Sequence, residues 1–181
     1  MLCPDTWRRT IPLEPRSYQS FQGTLFGAWR ASILATYSII QLQATTGELL
    51  ALMDEILLTA MRTGAASAMA TKYLARQDAA VLGIIGTRAQ ASFQAEAICE
   101  VQPIQKIIGY DRDSEAAQSF AKSIKVPVEI VKSAREAVIN SDVLVMVTTS
   151  KVPVFDGHDL RQGTHINAVG AFTPGASAIS D

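Results

Sequence analysis

One short segment limits the possible folds more than any other. Val81-Leu-Gly-Ile-Ile-Gly is a continuous apolar run of the kind that forms a strand buried on both faces. It breaks directly into a turn, Gly86-Thr-Arg-Ala-Gln-Ala, and a helical stretch is expected from about Ala89 to Val101. Lys106-Ile-Ile-Gly-Tyr-Asp reads as a second strand, and Ser114 is expected to cap a helix through Ile124. Val126-Pro-Val-Glu-Ile-Val gives a third strand and Ser133 starts a short helix to about Ile139. Asp142-Val-Leu-Val-Met-Val-Thr-Thr gives a fourth strand and His165-Ile-Asn-Ala-Val-Gly a fifth. Strands separated by helices of this length need right-handed crossovers, so the fold class is α/β, a parallel sheet with helices on both faces.

The first turn also carries chemistry. In a dinucleotide fold, a glycine-rich turn brings the pyrophosphate to the amides of a helix N-terminus, and an acid ending the second strand bonds the adenosine ribose. Gly86, Thr87, Arg88, Ala89 and Gln90 supply the turn, and Asp111 ends the second strand at the required distance. Arg88 stands where a second glycine would let the backbone approach the phosphates, and it is expected to weaken binding. The opposite outcome has a mechanism too: the guanidinium swings outward and takes a phosphate oxygen. Asp111 repels a 2′-phosphate and argues for NAD(H), while the adjacent Arg112 would attract one and leaves NADP(H) open. At the ends of later strands, Thr148, with Thr149, and Asn167, Ala168, Val169 and Gly170 are the remaining ligand candidates; turn chemistry is the competing explanation for them.

Upstream, Tyr37-Ser-Ile-Ile-Gln-Leu-Gln, the turn Thr45-Thr-Gly-Glu and Leu49-Leu-Ala-Leu-Met form a hairpin pattern. Asp54 is placed to cap a helix running to about Arg76, with Glu55 at the positive end of its dipole. In mid-helix, Gly64-Ala-Ala-Ser-Ala-Met-Ala permits close packing, and Arg62 just before it is a candidate for holding a carboxylate, against the plain alternative of a solvated surface arginine. Residues 1–36 show no usable periodicity and remain unassigned.

Several classes are disfavoured. A net charge of −1 with scattered basic residues gives no footprint for nucleic acid or a polybasic membrane contact. The apolar run from Leu25 to Leu42 is interrupted by Arg30 and Gln41, so no membrane span is expected. Cys3 and Cys99 read as reduced thiols of a cytoplasmic protein. His158 and His165 lack a third ligand at metal-binding spacing, and no Gly-x-Ser-x-Gly elbow occurs, so no metal and no catalytic residue is assigned.

Four blocks together resemble the ornithine cyclodeaminase and mu-crystallin family in order and spacing. They are Thr46-Gly-Glu-Leu-Leu-Ala-Leu-Met-Asp, Met61-Arg-Thr-Gly-Ala-Ala-Ser-Ala-Met-Ala-Thr-Lys-Tyr-Leu-Ala, Leu82-Gly-Ile-Ile-Gly-Thr-Arg-Ala-Gln-Ala and His165-Ile-Asn-Ala-Val-Gly-Ala-Phe-Thr-Pro-Gly. The resemblance covers about residues 40–181. It implies a homodimeric enzyme acting through an imine on a small amino or imino acid, with a Rossmann-type domain preceded by a dimerisation and substrate domain. Residues 1–78 would be part of the latter, and residues 79–181 the nucleotide domain, truncated at its C-terminus. By the resemblance, Arg62 holds the substrate carboxylate, Ala89 and Gln90 meet the pyrophosphate, Asp111 the ribose, and Thr148 with Asn167 to Gly170 the nicotinamide side.

The departures shape the functional expectation. Phe172 stands at the place of the cyclodeaminases' acid/base aspartate, which disfavours the ammonia-lyase reaction and leaves an NAD(P)H-dependent reductase of cyclic imino acids such as pyrroline-2-carboxylate. No lysine precedes Lys72, although the family uses an N-terminal lysine at the substrate. An inactive, incomplete member that keeps a partial nucleotide-binding or dimerising surface is the alternative. A binding protein for another small ligand is a third. An unfinished sheet also predicts exposed apolar surface and association with a partner chain.

Overall fold

The structure is a computed structural model and describes residues 38–150, 152–170 and 179–180. Two antiparallel strands come first, β1 (Ser38–Leu42) and β2 (Leu49–Asp54), joined in the register Ser38 to Asp54. The Asp54 carboxylate accepts the Ile56 amide at 2.6 Å and starts α1 (Glu55–Leu74). The expected strand and helix alternation follows as β3 (Val81–Ile85), α2 (Ala91–Cys99), β4 (Lys106–Tyr110), α3 (Ser114–Ser123), β5 (Val128–Ile130), α4 (Ala134–Ile139), β6 (Val143–Met146) and β8 (His165–Ala168). Between β6 and β8 lie a two-residue strand, β7 (Phe155–Asp156), and a single 3-10 turn. β7 pairs in parallel with β9 (Ile179–Ser180). Two-residue strands leave no periodicity to detect, and neither is legible in the sequence.

The main sheet is parallel throughout, in the order β5-β4-β3-β6-β8. From β3 the chain moves outward through β4 and β5, then returns to lay β6 on the other side of β3. Strand alternation divides the core. Leu82, Ile84, Val143 and Val145 face α2, with Ala91, Ala95 and Ile98, while Ile85, Leu144 and Met146 face α4, with Ala137 and Val138. Both faces are covered by helices, which explains why β3 and β6 read as unbroken apolar runs.

α1 adds to the α2 face of this sheet. Its small residues Ala60, Gly64, Ser67 and Ala68 are buried, and a Cβ at Gly64 would stand 2.7 Å from the Phe93 carbonyl oxygen of α2. Close helix packing therefore accounts for the small-residue stretch. One capping expectation needs correction. Asp113, not Ser114, caps α3: it is the extended residue just before the first helical one, and its Oδ1 accepts both the Glu115 and Ala116 amides, at 3.0 and 3.2 Å.

At the opposite end of the strands, Asp142 joins three segments. Its Oδ2 accepts the Ala80 and Val81 amides at 3.1 and 3.0 Å, and its Oδ1 meets Arg76 at 2.9 Å and Arg161 at 3.2 Å. Removing this carboxylate strands two amides and two guanidinium groups. Asp142→Ala should lower unfolding free energy by about 3 kcal/mol, read as a fall in the urea midpoint at unchanged slope.

Candidate functional site

The crevice at the C-terminal ends of the strands lies where the strand order reverses, between β3 and β6, which is where open α/β sheets take ligands. A cavity of about 530 Å³ opens there. Its walls include Gly86, Arg88, Ala89 and Gln90 from the turn after β3, Asp111 to Asp113 after β4, and Val147 to Ser150 after β6.

Gly86 makes the turn possible. Its φ is +91°, which side chains rarely tolerate, and a Cβ there would lie 3.0 Å from the Val147 carbonyl. Beyond it, no acceptor among the described residues meets the amides of Ala89 or Gln90 at the mouth of α2, and the buried Gln90 Oε1 has no hydrogen-bond partner there. Unengaged amides at the positive end of a helix suit an anion.

Asp111 is fixed from three directions. Its Oδ2 accepts the Thr87 amide at 2.7 Å and the Thr87 hydroxyl at 3.1 Å, and its Oδ1 accepts the Asp113 amide at 3.0 Å. Burial alone would raise its pKa. The Asp113 amide, the amide and hydroxyl of Thr87, and the Arg88 charge outweigh it and hold the carboxyl below its ordinary range. Oδ1 keeps a lone pair for a ligand hydroxyl. These features together fit a dinucleotide: a backbone cradle closed to any Cβ, free amides, and an ionised acid with acceptor capacity to spare.

Arg88 turns outward. Its side chain is 73% exposed and its Nη2 lies 3.0 Å from Asp113 Oδ2. Arg112, exposed beside Asp111, makes no ion pair among the described residues. Asp113 is the residue that sequence reasoning missed. Its signal was an acid immediately before Ser-Glu-Ala-Ala, the composition of a helix start.

The other candidates divide. Thr148 lines the crevice, and its hydroxyl accepts the Ser150 amide at 3.1 Å. The Asn167 side chain instead points to α1, where Nδ2 donates to Thr71 Oγ1 at 2.9 Å, and Oδ1 lies 3.3 Å from His165 Nε2. A buried amide between two elements must be satisfied, and this contact does so. The amides of Val169 and Gly170 both donate to the Met146 carbonyl at 3.0 Å, and a Cβ on Gly170 would collide with the Thr148 carbonyl. Gly170 thus serves the approach of two backbone segments. Ala168 ends β8, exposed. Arg62 is exposed on α1 and lines neither this crevice nor a second, apolar cavity of about 600 Å³ between the N-termini of α1 and α2, which Ala89 and Gln90 also border. The position of Phe172 lies outside the described residues. Among those residues no cluster could hold a metal ion, and no helix is long and apolar enough to cross a membrane. Burial, with Glu100 and Glu96 nearby, pushes the Cys99 thiol up and disfavours a reactive thiolate.

The depressed Asp111 pKa has a definite sign. The folded carboxyl titrates below the ordinary value of 3.8, so its stabilisation is present above that value and disappears as pH falls through the folded one. Asp111→Asn should be about 1 kcal/mol less stable at pH 7 and converge with the parent in strong acid, as measured by urea unfolding across pH.

Comparison with known proteins agrees with this geometry. A Delta(1)-pyrroline-2-carboxylate reductase of Bacillus cereus is 47% identical over 132 residues, covering 71% of this chain and 40% of that protein. The structure of Thermococcus litoralis Delta(1)-pyrroline-2-carboxylate reductase in complex with NADH and L-proline superposes with a TM-score of 0.69 at 47% identity, over 71% of this chain and 41% of that one. An archaeal alanine dehydrogenase dimer with bound NAD gives a TM-score of 0.73 at 39% identity, over 79% and 45%. The chain thus spans about two fifths of the length of these pyrroline-2-carboxylate reductases. Residues 31–181 match the family profile, a span that holds the hairpin, α1, the glycine turn and the fifth strand of the sheet, and the chain belongs to the ornithine cyclodeaminase/mu-crystallin family.

Proposed function

We propose that this chain carries the nucleotide-binding part of an NAD(H)-dependent reductase of cyclic imino acids, of the pyrroline-2-carboxylate type. The observation that carries the reading is Asp111. It is an ionised acceptor held at the end of β4, directly across from the Gly86 turn, in a chain 47% identical to such a reductase. The residue types at the crevice support named roles. Ala89 and Gln90 offer amides to the pyrophosphate, Asp111 takes the ribose hydroxyls, and Thr148 with the backbone of Ala168 to Gly170 borders the nicotinamide. Bound there, the nicotinamide supplies hydride to the imine carbon, while nitrogen takes a proton from solvent or from another residue. In this reading residues 1–78 belong to a substrate and dimerisation domain and residues 79–181 to the nucleotide domain. Arg62 then holds the substrate carboxylate by a bidentate contact.

A second copy of the chain is proposed as the partner. Ile40, Leu49, Leu50 and Leu52 of the hairpin and Ile56, Leu57 and Met61 of α1 are all more than half exposed, far more apolar surface than a solvated hairpin carries. The similarity to an archaeal alanine dehydrogenase dimer supports pairing with a second copy. An inactive member that keeps only the nucleotide or dimerising surface is the second reading, favoured by the lack of any lysine before Lys72 in this sequence.

Fluorescence titration with NADH should saturate, and pyrroline-2-carboxylate should then drive NADH oxidation. Arg62→Ala should raise KM for the imino acid roughly ten- to hundred-fold with NADH binding retained. Binding without turnover would select the inactive reading. Leu52→Glu with Leu57→Glu should shift the sedimentation coefficient from dimer to monomer.

A further inference from the structure

Asp113 has no counterpart in the two-part fingerprint of glycine turn and strand-end acid, yet it touches both parts. Its amide donates to Asp111 Oδ1 at 3.0 Å, and its Oδ2 holds Arg88 Nη2 at 3.0 Å. The Arg88 guanidinium is therefore placed one carboxylate away from the acid that takes the ribose hydroxyls. That is the neighbourhood in which a 2′-phosphate would sit. A phosphate there brings close to two negative charges and needs a cation to offset Asp111.

We propose that Asp113 is a specificity-determining residue for the nucleotide: by engaging Arg88 it withholds from the ribose 2′ position a cation that a 2′-phosphate would need, and so favours NADH over NADPH. The inference rests on the nucleotide-binding reading of the crevice. An ordinary exposed ion pair would yield readily to a phosphate, because holding two long side chains costs entropy. This pair differs on one side. The Asp113 carboxylate is already locked by Oδ1, which caps α3 through the Glu115 and Ala116 amides, so only Arg88 loses freedom on pairing. Arg112, which makes no ion pair among the described residues, is the one other cation among the described residues that line this crevice. It takes no part in the Asp113–Arg88 pair, so the two arginines can be separated by substitution.

The experiment measures dissociation constants of NADH and NADPH by fluorescence titration for the parent chain and for Asp113→Asn. Asparagine keeps the shape and the capping oxygen while removing the charge that holds Arg88. Asp113→Ser, which also caps, serves if the first variant fails to fold. The NADPH-to-NADH affinity ratio should rise about five-fold. Arg88→Ala added to Asp113→Asn should abolish the gain, and Arg112→Ala added instead should lower NADPH affinity while leaving the gain in place. An unchanged ratio, or a gain that survives Arg88→Ala, overturns the proposal. Failure of the folded parent chain to bind either nucleotide removes the functional reading itself, and this inference with it.

Discussion

The site depends on β3 and β6 ending side by side with almost nothing between them. At the tip of β3, Gly86 passes so close to the Val147 carbonyl that a single added carbon would fill the gap. A parallel strand pair at the point of order reversal leaves the chain exits diverging, one toward α2 and one toward the Thr148 loop, and the crevice is the space they leave. Close approach at this point sets the depth of that space. The same demand recurs on the neighbouring strand, where Gly170 brings the β8 exit against the Thr148 backbone. Strand order and two bare α-carbons therefore shape the crevice before any polar group contributes.

Polar groups then lock what the backbone has shaped, and they do so unequally. Asp142, at the N-terminal end of β6, ties the approach to β3 by two amides and two arginines, and it can serve nothing but structure because it lies at the far end of the strands. Asp111 also accepts two backbone amides, but from the turn and the loop that border the crevice, and it keeps acceptor capacity. Two aspartates of similar local geometry thus differ in function through strand polarity alone: one stands where chains enter the sheet, the other where they leave it.

How much of this was legible follows from the same distinction. Buried strands announce themselves because both faces must be apolar, so β3, β4 and β6 were found with ends within a few residues. The turn at Gly86 and the place of Asp111 just after β4 were legible because a fixed backbone demand and a fixed strand end leave few choices of residue. Asn167 was not, because an amide at a strand end suits a ligand and a core contact equally in sequence. Only the packing of α1 across β8 brings Thr71 to it, from 96 positions away. Asp113 escaped for a related reason: a helix cap and an ion pair to a distant arginine share one carboxylate, and sequence spacing signals only the cap.

The apolar hairpin and α1 pose the converse problem, since their sequence reads as core while their side chains lie open. β2 is exposed on both faces, Leu50 and Leu52 on one and Leu49 and Met53 on the other, so its pattern does not alternate as that of a half-buried strand should. A two-stranded ribbon of this kind is marginal alone in water. α1 is buried on one side against α2 by residues too small to contribute much apolar area, so its larger side chains, Leu57 and Met61 among them, are left for another surface. The small residues fix the position of α1 against α2, and the large ones are left exposed. A helix built in this way couples the two: Gly64 packs on Phe93 of α2, so whatever covers the outer face of α1 also bears on the helix that Gln90 opens.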